Sequence, residues 1–295
     1  MFKGLICPNI TIFDDLGYVD LEAMKIHMDF LLDNGVKGLF VTGTYGAGYL
    51  MDLDERVSIY KLAKEVSLCH EGTFVIGHVG ANDTRSSEKL TNAARELGLD
   101  AVSAVNPYTY KYTDYELTSY YKALVKYAND MPVLAYNNPG LTSKAIDINL
   151  LRMFTEVGVA GIKDSTASPD YAKEVTEAFK GTNFKYITGS NTNWPEMKKL
   201  GVDTMISGSA NYIPELISKL YLSDGDEMLR TYDIINRINK VVKTKNSIIS
   251  SHLAIKARGL NAGFTRFPLM LNYEEMKDTI LAIKTAYEEE IYNVR

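Results

Sequence analysis

The sequence predicts an α/β chain folded as a (β/α)8 (TIM) barrel with a C-terminal helical extension. Three observations carry that prediction. Short apolar runs recur at fairly regular intervals, segments with helical spacing separate them, and residues 212–295 show helical periodicity without a further strand.

The elements follow in order. "GLICPNIT" is the first run, and "LEAMKIHMDFLLDNG" after it places Leu21, Met24, Met28, Leu31 and Leu32 on one helical face before stopping at Gly35. "GLFVTG" is the second run. Asp52 and Glu55 then have capping-box spacing ahead of "RVSIYKLAKEV". "FVIGHVG", "AVSAVNP", "PVLAYNNP" and "VAGIKD" continue the series, each apolar and each ending in turn-forming residues, as strands buried on both faces do. Ser168-Pro169-Asp170 supplies a cap, a proline at the first helical position and an acid near the positive end of the next helix. "FKYITGS" and "TMISGS" complete eight runs. "EMLRTYDIINRINKVVK", "ISSHLAIKARGL" and "YEEMKDTILAIKTAYEEEI" are the clearest pieces of the extension. The expected organisation is barrel strands and helices over 1–211, then the last barrel helix and the extension over 212–295, in one structural unit.

An open, doubly wound sheet is the competing architecture, because glycine-rich "GTYGAG" follows the second run. Its glycines at 43, 46 and 48 read G-x-x-G-x-G rather than the dinucleotide order G-x-G-x-x-G, which argues against nucleotide binding. Composition narrows function further. With 295 residues, 46% of them apolar, the chain can bury a large core, and its net charge of −5 is spread along the sequence, unlike a nucleic-acid footprint. No run approaches the length of a membrane span, and Pro8 and Asn9 interrupt the N-terminal apolar stretch, so a cytoplasmic protein is expected. Cys7 and Cys69 lack metal or redox spacing and read as reduced and structural; His27, His70, His78 and His252 show no ligand spacing either.

In a (β/α)8 barrel the chemistry sits at the C-terminal ends of the strands. Thr44 and Tyr45 follow the second strand, Tyr136-Asn137-Asn138 ends the fifth, Lys163 ends the sixth, Gly189-Ser190-Asn191 follows the seventh, and Ser207-Gly208-Ser209 follows the eighth. Taken singly, a strand-end lysine is a solvated side chain and "GTYG" an ordinary turn. Their convergence on one barrel face is what points to chemistry. Strands five and six are neighbours, so Tyr136 and Lys163 can meet. A lysine in an apolar mouth has its pKa lowered, its neutral amine can attack a ketone, and a nearby phenol can move the protons that the carbinolamine requires.

The blocks "GTYG" (43–46), "YNNPG" (136–140), "GIKDST" (161–166) and "GVDTMISGSAN" (201–211) resemble the signatures of the dihydrodipicolinate synthase and N-acetylneuraminate lyase family, and the resemblance spans nearly the whole chain. It implies a homotetrameric barrel that forms a Schiff base with pyruvate or another 2-oxo acid and uses no metal or organic cofactor. By motif, Lys163 would form the Schiff base, Tyr136 would transfer protons, and Thr44 would hold the carboxylate and help the relay. Tyr45, Tyr108, Gly189, Asn191 and Ser207, with Ser209 as the alternative to Ser207, are the expected substrate-binding positions.

The sequence departs from the family pattern where substrate choice is expected to lie. Tyr45 and Ala47 replace a hydroxyl residue and a glutamate of the turn, and Thr109 falls where a second tyrosine is often found, flanked by Tyr108 and Tyr110. Leu141 replaces the arginine that meets the aldehyde's carboxylate in dihydrodipicolinate synthases. The segment "LTSKAID" resembles that of 2-keto-3-deoxygluconate aldolases. The expected activity is therefore class I aldol cleavage of 2-keto-3-deoxy sugar acids to pyruvate and an aldehyde such as glyceraldehyde. The alternatives are condensation of pyruvate with aspartate semialdehyde, which would need an arginine such as Arg85 or Arg266 at the site, N-acetylneuraminate cleavage, and a noncatalytic small-molecule-binding barrel. The expected partners are a 2-oxo acid and an aldehyde, with no nucleic acid and no membrane.

Overall fold

The computed structural model describes residues 2–142 and 144–292. Ser143 of the "LTSKAID" segment and positions 293–295 of the extension lie outside the described residues. Among the described residues eight strands pair in parallel and in chain order into a closed barrel: β1 (Gly4–Pro8), β2 (Gly38–Val41), β3 (Phe74–His78), β4 (Ala101–Val105), β5 (Val133–Asn137), β6 (Gly161–Asp164), β7 (Lys185–Thr188) and β8 (Thr204–Ile206), with β8 returning to β1. The helices α1 (Leu21–Asp33), α2 (Leu53–Leu68), α3 (Thr84–Glu96), α4 (Asp114–Ala128), α5 (Ile148–Glu156), α6 (Pro169–Ala178), α7 (Trp194–Lys199) and α8 (Pro214–Leu222) follow the strands one by one. Each crossover lets a parallel neighbour form.

The start signals read from the sequence are the ones the chain uses. Asp52 accepts a hydrogen bond from the Glu55 amide while the Glu55 side chain returns to the Asp52 amide, and Ser168 accepts from the Tyr171 amide with Pro169 behind it. Each cap satisfies donors that a helix start leaves open.

Strand periodicity divides the core in two. Ile6, Phe40, Ile76, Val105, Leu134, Tyr136, Ile187 and Ile206 point inward and fill the barrel. Their neighbours Leu5, Leu39, Val75, Ala104, Ala135, Ile162, Tyr186 and Met205 point outward and pack against the helices. Both faces are buried, so the strands read as continuous apolar runs rather than alternating ones. Of the two cysteines, Cys7 lies in the outer layer, whereas Cys69 is an exposed residue at the end of α2 and has no part in the core.

Beyond α8 lie α9 (Gly225–Val242), α10 (Ser247–Ala257) and α11 (Lys277–Tyr292); α9 packs on α8 and α11, and α10 packs on α11. Within α10, Ser250–Ile255 is buried throughout. It reaches back to the barrel through Ser251, whose hydroxyl donates to the Tyr45 phenol oxygen at 3.1 Å. No helix among the described residues is long and apolar enough to cross a membrane.

Asp164 locks the mouth end of β6 to its neighbours. Its buried carboxylate accepts from Asn137 Nδ2 (2.9 Å) on β5, Tyr186 Oη (3.0 Å) on β7, and both the amide (3.2 Å) and hydroxyl (2.6 Å) of Thr166 in the following loop. Removing it strands several buried donors at once. Asp164→Ala is expected to lose about 3 kcal/mol of stability or more, read from the urea midpoint; a loss under about 1 kcal/mol would show that the hub carries little.

Candidate active site

Lys163 is the third residue of β6, and the period-two alternation that sends Ile162 and Asp164 outward sends Lys163 into the barrel. The strand register sets Tyr136 of β5 directly beside it. Its Nζ lies 4.0 Å from the ring centroid of Phe40 and 3.9 Å from that of Tyr136, and the residue is only 4% exposed. Ring faces attract a cation, but less than the water they replace. Burial therefore pushes the Lys163 ammonium below the ordinary lysine value, an effect the adjacent Tyr136 only partly offsets. No carboxylate among the described residues pairs with it.

Burial alone would raise the Tyr136 phenol, but the Lys163 charge and hydrogen bonds from Ser165 and Asn138 outweigh it and hold the phenol below its usual value. Ser165 Oγ donates to the phenol oxygen at 3.3 Å and Asn138 Nδ2 at 3.0 Å. Both donors sit just past strand ends, so the loops after β5 and β6 fix the phenol between them. An amine held below its ordinary value beside a phenol held below its own is suited to attack on a carbonyl carbon and to proton transfer at the oxygen that results.

The turn after β2 brings Thr44 to the same place. Thr42 and Ala47 both have positive φ, at 55° and 52°, and Gly48 closes the turn with its amide on the Gly43 carbonyl at 3.0 Å. A Cβ at Gly48 would overlap the Thr42 carbonyl, so this position requires glycine. A β-branched residue such as Thr42 is strained in that region, and the bond from its hydroxyl to the His78 carbonyl (3.1 Å) helps hold it. The result points Thr44 and Tyr45 in different directions. Thr44 Oγ1 is buried next to Tyr136 and completes no hydrogen bond of ordinary geometry.

Tyr45 is not part of the group around Lys163. Its ring lies on Gly208, its hydroxyl meets Ser251 of α10, and it packs with the outer layer, where burial pushes its phenol up to about 12. Tyr108 does pack against the inner cluster. Asn191 and Ser207 are both buried and are joined by a hydrogen bond from Ser207 Oγ to Asn191 Oδ1 at 2.9 Å. Ser209 turns outward to Asn239 of α9 (3.0 Å), so Ser207 is the serine that faces this side of the barrel's rim. Gly189 sits against the Asp164 carbonyl, to which its amide donates at 2.6 Å, with no room for a Cβ.

Three residues of the site are not evident from the motifs. Phe40 forms one wall of the amine's slot. His78, at the end of β3, packs edge-on to Tyr136 at 5.9 Å and accepts from the Val105 amide through Nε2 at 3.3 Å. Burial, with Arg56 and Lys163 nearby, pushes it well below the ordinary histidine value and keeps it neutral. Tyr49 follows the "GTYGAG" turn, packs against the inner cluster, and stands edge-on to His78 (5.8 Å) and Tyr108 (5.1 Å). Its only sequence signal is an aromatic residue between that turn and the Asp52 cap.

Neither arginine considered from the sequence reaches this group. Arg266 is engaged with Glu55 and with the carbonyls of Gly17 and Leu50, and Arg85 is exposed in the first turn of α3. A cleft of about 650 Å³ lies elsewhere, lined by Asp14–Gly17, Lys245, Ile249, Phe264–Phe267, Leu269–Asn272, Glu275 and Met276.

The chain matches the model of the dihydrodipicolinate synthetase family over residues 1–286. A 4-hydroxy-tetrahydrodipicolinate synthase of Pelobacter propionicus is 28% identical over 97% of this chain and 99% of its own. A Sulfolobus solfataricus 2-keto-3-deoxygluconate aldolase variant superposes with a TM-score of 0.87 at 25% identity, covering 98% of both chains. A Ruminococcus gnavus sialic acid aldolase does so with a TM-score of 0.86 at 24% identity, covering 98% of this chain and 99% of its own.

The lowered Lys163 pKa is also a statement about stability. The folded chain binds this proton less tightly than the unfolded chain, so the penalty is present in full at low pH and fades as pH rises from the lowered value towards 10.5. Lys163→Met is therefore expected to raise the thermal midpoint at pH 7, with the gain narrowing as pH approaches 10. Calorimetry across that range checks it, and a variant less stable than the parent at pH 7 would mean that the amine is a net stabiliser.

Proposed function

The chain belongs to the dihydrodipicolinate synthetase family, and from that premise we propose that it is a pyruvate-dependent class I aldolase whose Lys163 amine forms the Schiff base. The observation that carries this reading is the amine itself, buried between the faces of Phe40 and Tyr136 with its pKa lowered. Lys163 attacks the 2-oxo carbon and Tyr136 supplies and recovers protons at the carbinolamine. The iminium then accepts the electrons of the neighbouring C–C bond as it breaks. Thr44 lies beside Tyr136, suited to the 2-oxo acid's carboxyl end.

We further propose that the substrates are 2-keto-3-deoxy sugar acids such as 2-keto-3-deoxygluconate, cleaved to pyruvate and an aldehyde such as glyceraldehyde. Leu141, half-exposed in the loop after β5, offers no charge to a second carboxylate, and Arg266 is already held by Glu55. The buried Asn191–Ser207 pair supplies the polar groups that sugar hydroxyls bind. Condensation of pyruvate with aspartate semialdehyde is the second reading, favoured by the Pelobacter relative. The homotetramer expected of the family belongs to the same proposal; light scattering should then give four times the 33.0 kDa chain mass, and a monomer would remove it.

Incubation with pyruvate and borohydride is expected to leave a covalent adduct on Lys163, located by peptide mass spectrometry and absent in Lys163→Ala. A folded protein that gives no adduct would remove the aldolase reading and favour a binding barrel. Pyruvate release from 2-keto-3-deoxygluconate, set against turnover of aspartate semialdehyde with pyruvate, then ranks the two substrates.

A further inference from the structure

We infer that His78 is a positioning residue of the Schiff-base site, its imidazole tied to β4 and wedged edge-on against Tyr136 so that the phenol ring keeps its face to the Lys163 amine. The inference rests on the Schiff-base reading of Lys163 and extends it to a residue that carries no motif. Three ring centroids form a nearly equilateral triangle: Phe40 to Tyr136 is 6.2 Å, Phe40 to His78 is 6.1 Å and His78 to Tyr136 is 5.9 Å. Each spacing is that of aromatic rings in contact. Lys163 Nζ lies over the rings at two corners of this triangle. His78 is the third corner, perpendicular to Tyr136 at an interplanar angle of 89°.

Backbone and ring of His78 are both held. Its carbonyl accepts from Thr42, Arg56 and Tyr60. The paired register of β3 and β4 ends at His78 and Ser103, and beyond it His78 Nε2 accepts from the Val105 amide at 3.3 Å, in the place of a strand carbonyl. A Cβ at Gly80 would lie 2.9 Å from the ring, so the loop after β3 packs directly on the imidazole. A ring nitrogen that accepts carries no hydrogen, which assigns the single hydrogen of the neutral ring to Nδ1. Nδ1 faces Arg56 Nη2 at 3.4 Å. An imidazolium would give up the Val105 bond and add its charge to those of Arg56 and Lys163, so these contacts keep the ring neutral.

Two separable tasks fall to this side chain. Nε2 satisfies a buried amide, which concerns folding, whereas the bulk of the ring concerns the phenol. Asn138 and Ser165 hold the Tyr136 oxygen, but a ring fixed only at its oxygen and its Cβ can still turn about the axis that joins them. Such a turn would bring a ring edge onto Nζ, where the face now lies, and would swing the plane in which the phenol O–H points. His78 and Phe40, both nearly perpendicular to Tyr136, oppose it. His78 acts through Tyr136 and does not itself touch the 2-oxo acid.

The test compares the parent protein with His78→Gln, His78→Phe, Tyr136→Phe and the double variant His78→Gln/Tyr136→Phe. It reads the borohydride adduct at saturating pyruvate, the rate at which the pyruvate methyl group exchanges protons for deuterium from solvent, and the thermal midpoint. Glutamine keeps an acceptor within reach of the Val105 amide and removes the ring. The adduct should still form and the midpoint should stay close to the parent's, while exchange slows by on the order of 100-fold in maximal rate with half-saturation by pyruvate unchanged. Phenylalanine keeps the wedge and leaves the amide without an acceptor, so the midpoint should fall while most of the lost rate returns. The double variant should be little slower than Tyr136→Phe alone, as expected of a residue that acts through the phenol. Rates that merely follow the midpoint across the variants would overturn the role of His78 and leave the Schiff base standing. If one of the two substitutions does not fold, the other decides alone: parent-like exchange in His78→Gln, or a loss of about 100-fold in His78→Phe, overturns that role. Absence of both adduct and exchange in the parent protein would remove both readings.

Discussion

A parallel sheet that closes on itself gives each strand residue only two destinations, the barrel interior or the layer beneath the helices. Everything else in this protein depends on that constraint. Alternation sends Ile162 and Asp164 outward and Lys163 inward, and the register between β5 and β6 then fixes which residue faces the amine. Because the ladder is continuous around the barrel, a slip of one residue on β6 would exchange Lys163 for an aliphatic side chain and bury the ammonium among helices. The outward carboxylate of Asp164, bonded to both neighbouring strands and to its own loop, opposes that slip. One residue is placed for chemistry by the bonds of the next.

The strands, their order and the pairing of Tyr136 with Lys163 were legible in the sequence, because each depends on periodicity and on neighbour relations that a barrel makes obligatory. The same logic reached Thr44, Asn191 and Ser207, which the structure places at strand ends on the mouth side. It failed at Tyr45. Two consecutive residues in a turn need not share a face, and here positive φ at Thr42 and Ala47 rotates the chain so that Thr44 faces inward and Tyr45 faces α10. No periodicity reports such a rotation. The choice between Ser207 and Ser209 was open for a similar reason, since Ser207 precedes and Ser209 lies within a 3-10 turn (Gly208–Asn211), and only the packing of α9 on Ser209 distinguishes them.

His78 and Tyr49 were hidden differently. Each lies in a segment that reads as ordinary, one as the polar end of a strand and the other as an aromatic before a helix cap. Their importance comes from the fact that strand ends and turns distant in sequence share the rim of one cylinder. Arg56 shows the opposite effect. It is a buried guanidinium near the mouth whose Nη1 and Nη2 donate to the carbonyls of Gly80 and His78, so these two groups shape the rim.

The slot between Phe40 and Tyr136 has a consequence for any molecule that reacts at the amine. Two ring faces, each about 4 Å from Nζ, are a poor solvent for an isolated ammonium but retain an affinity for flat, delocalised cations, whose charge spreads over the same area as the rings. An intermediate that is planar and positively charged would fit these walls better than the tetrahedral, neutral species before it. The barrel interior would then act as a medium selective for the shape and charge of one stage of the reaction, independently of which aldehyde occupies the rim.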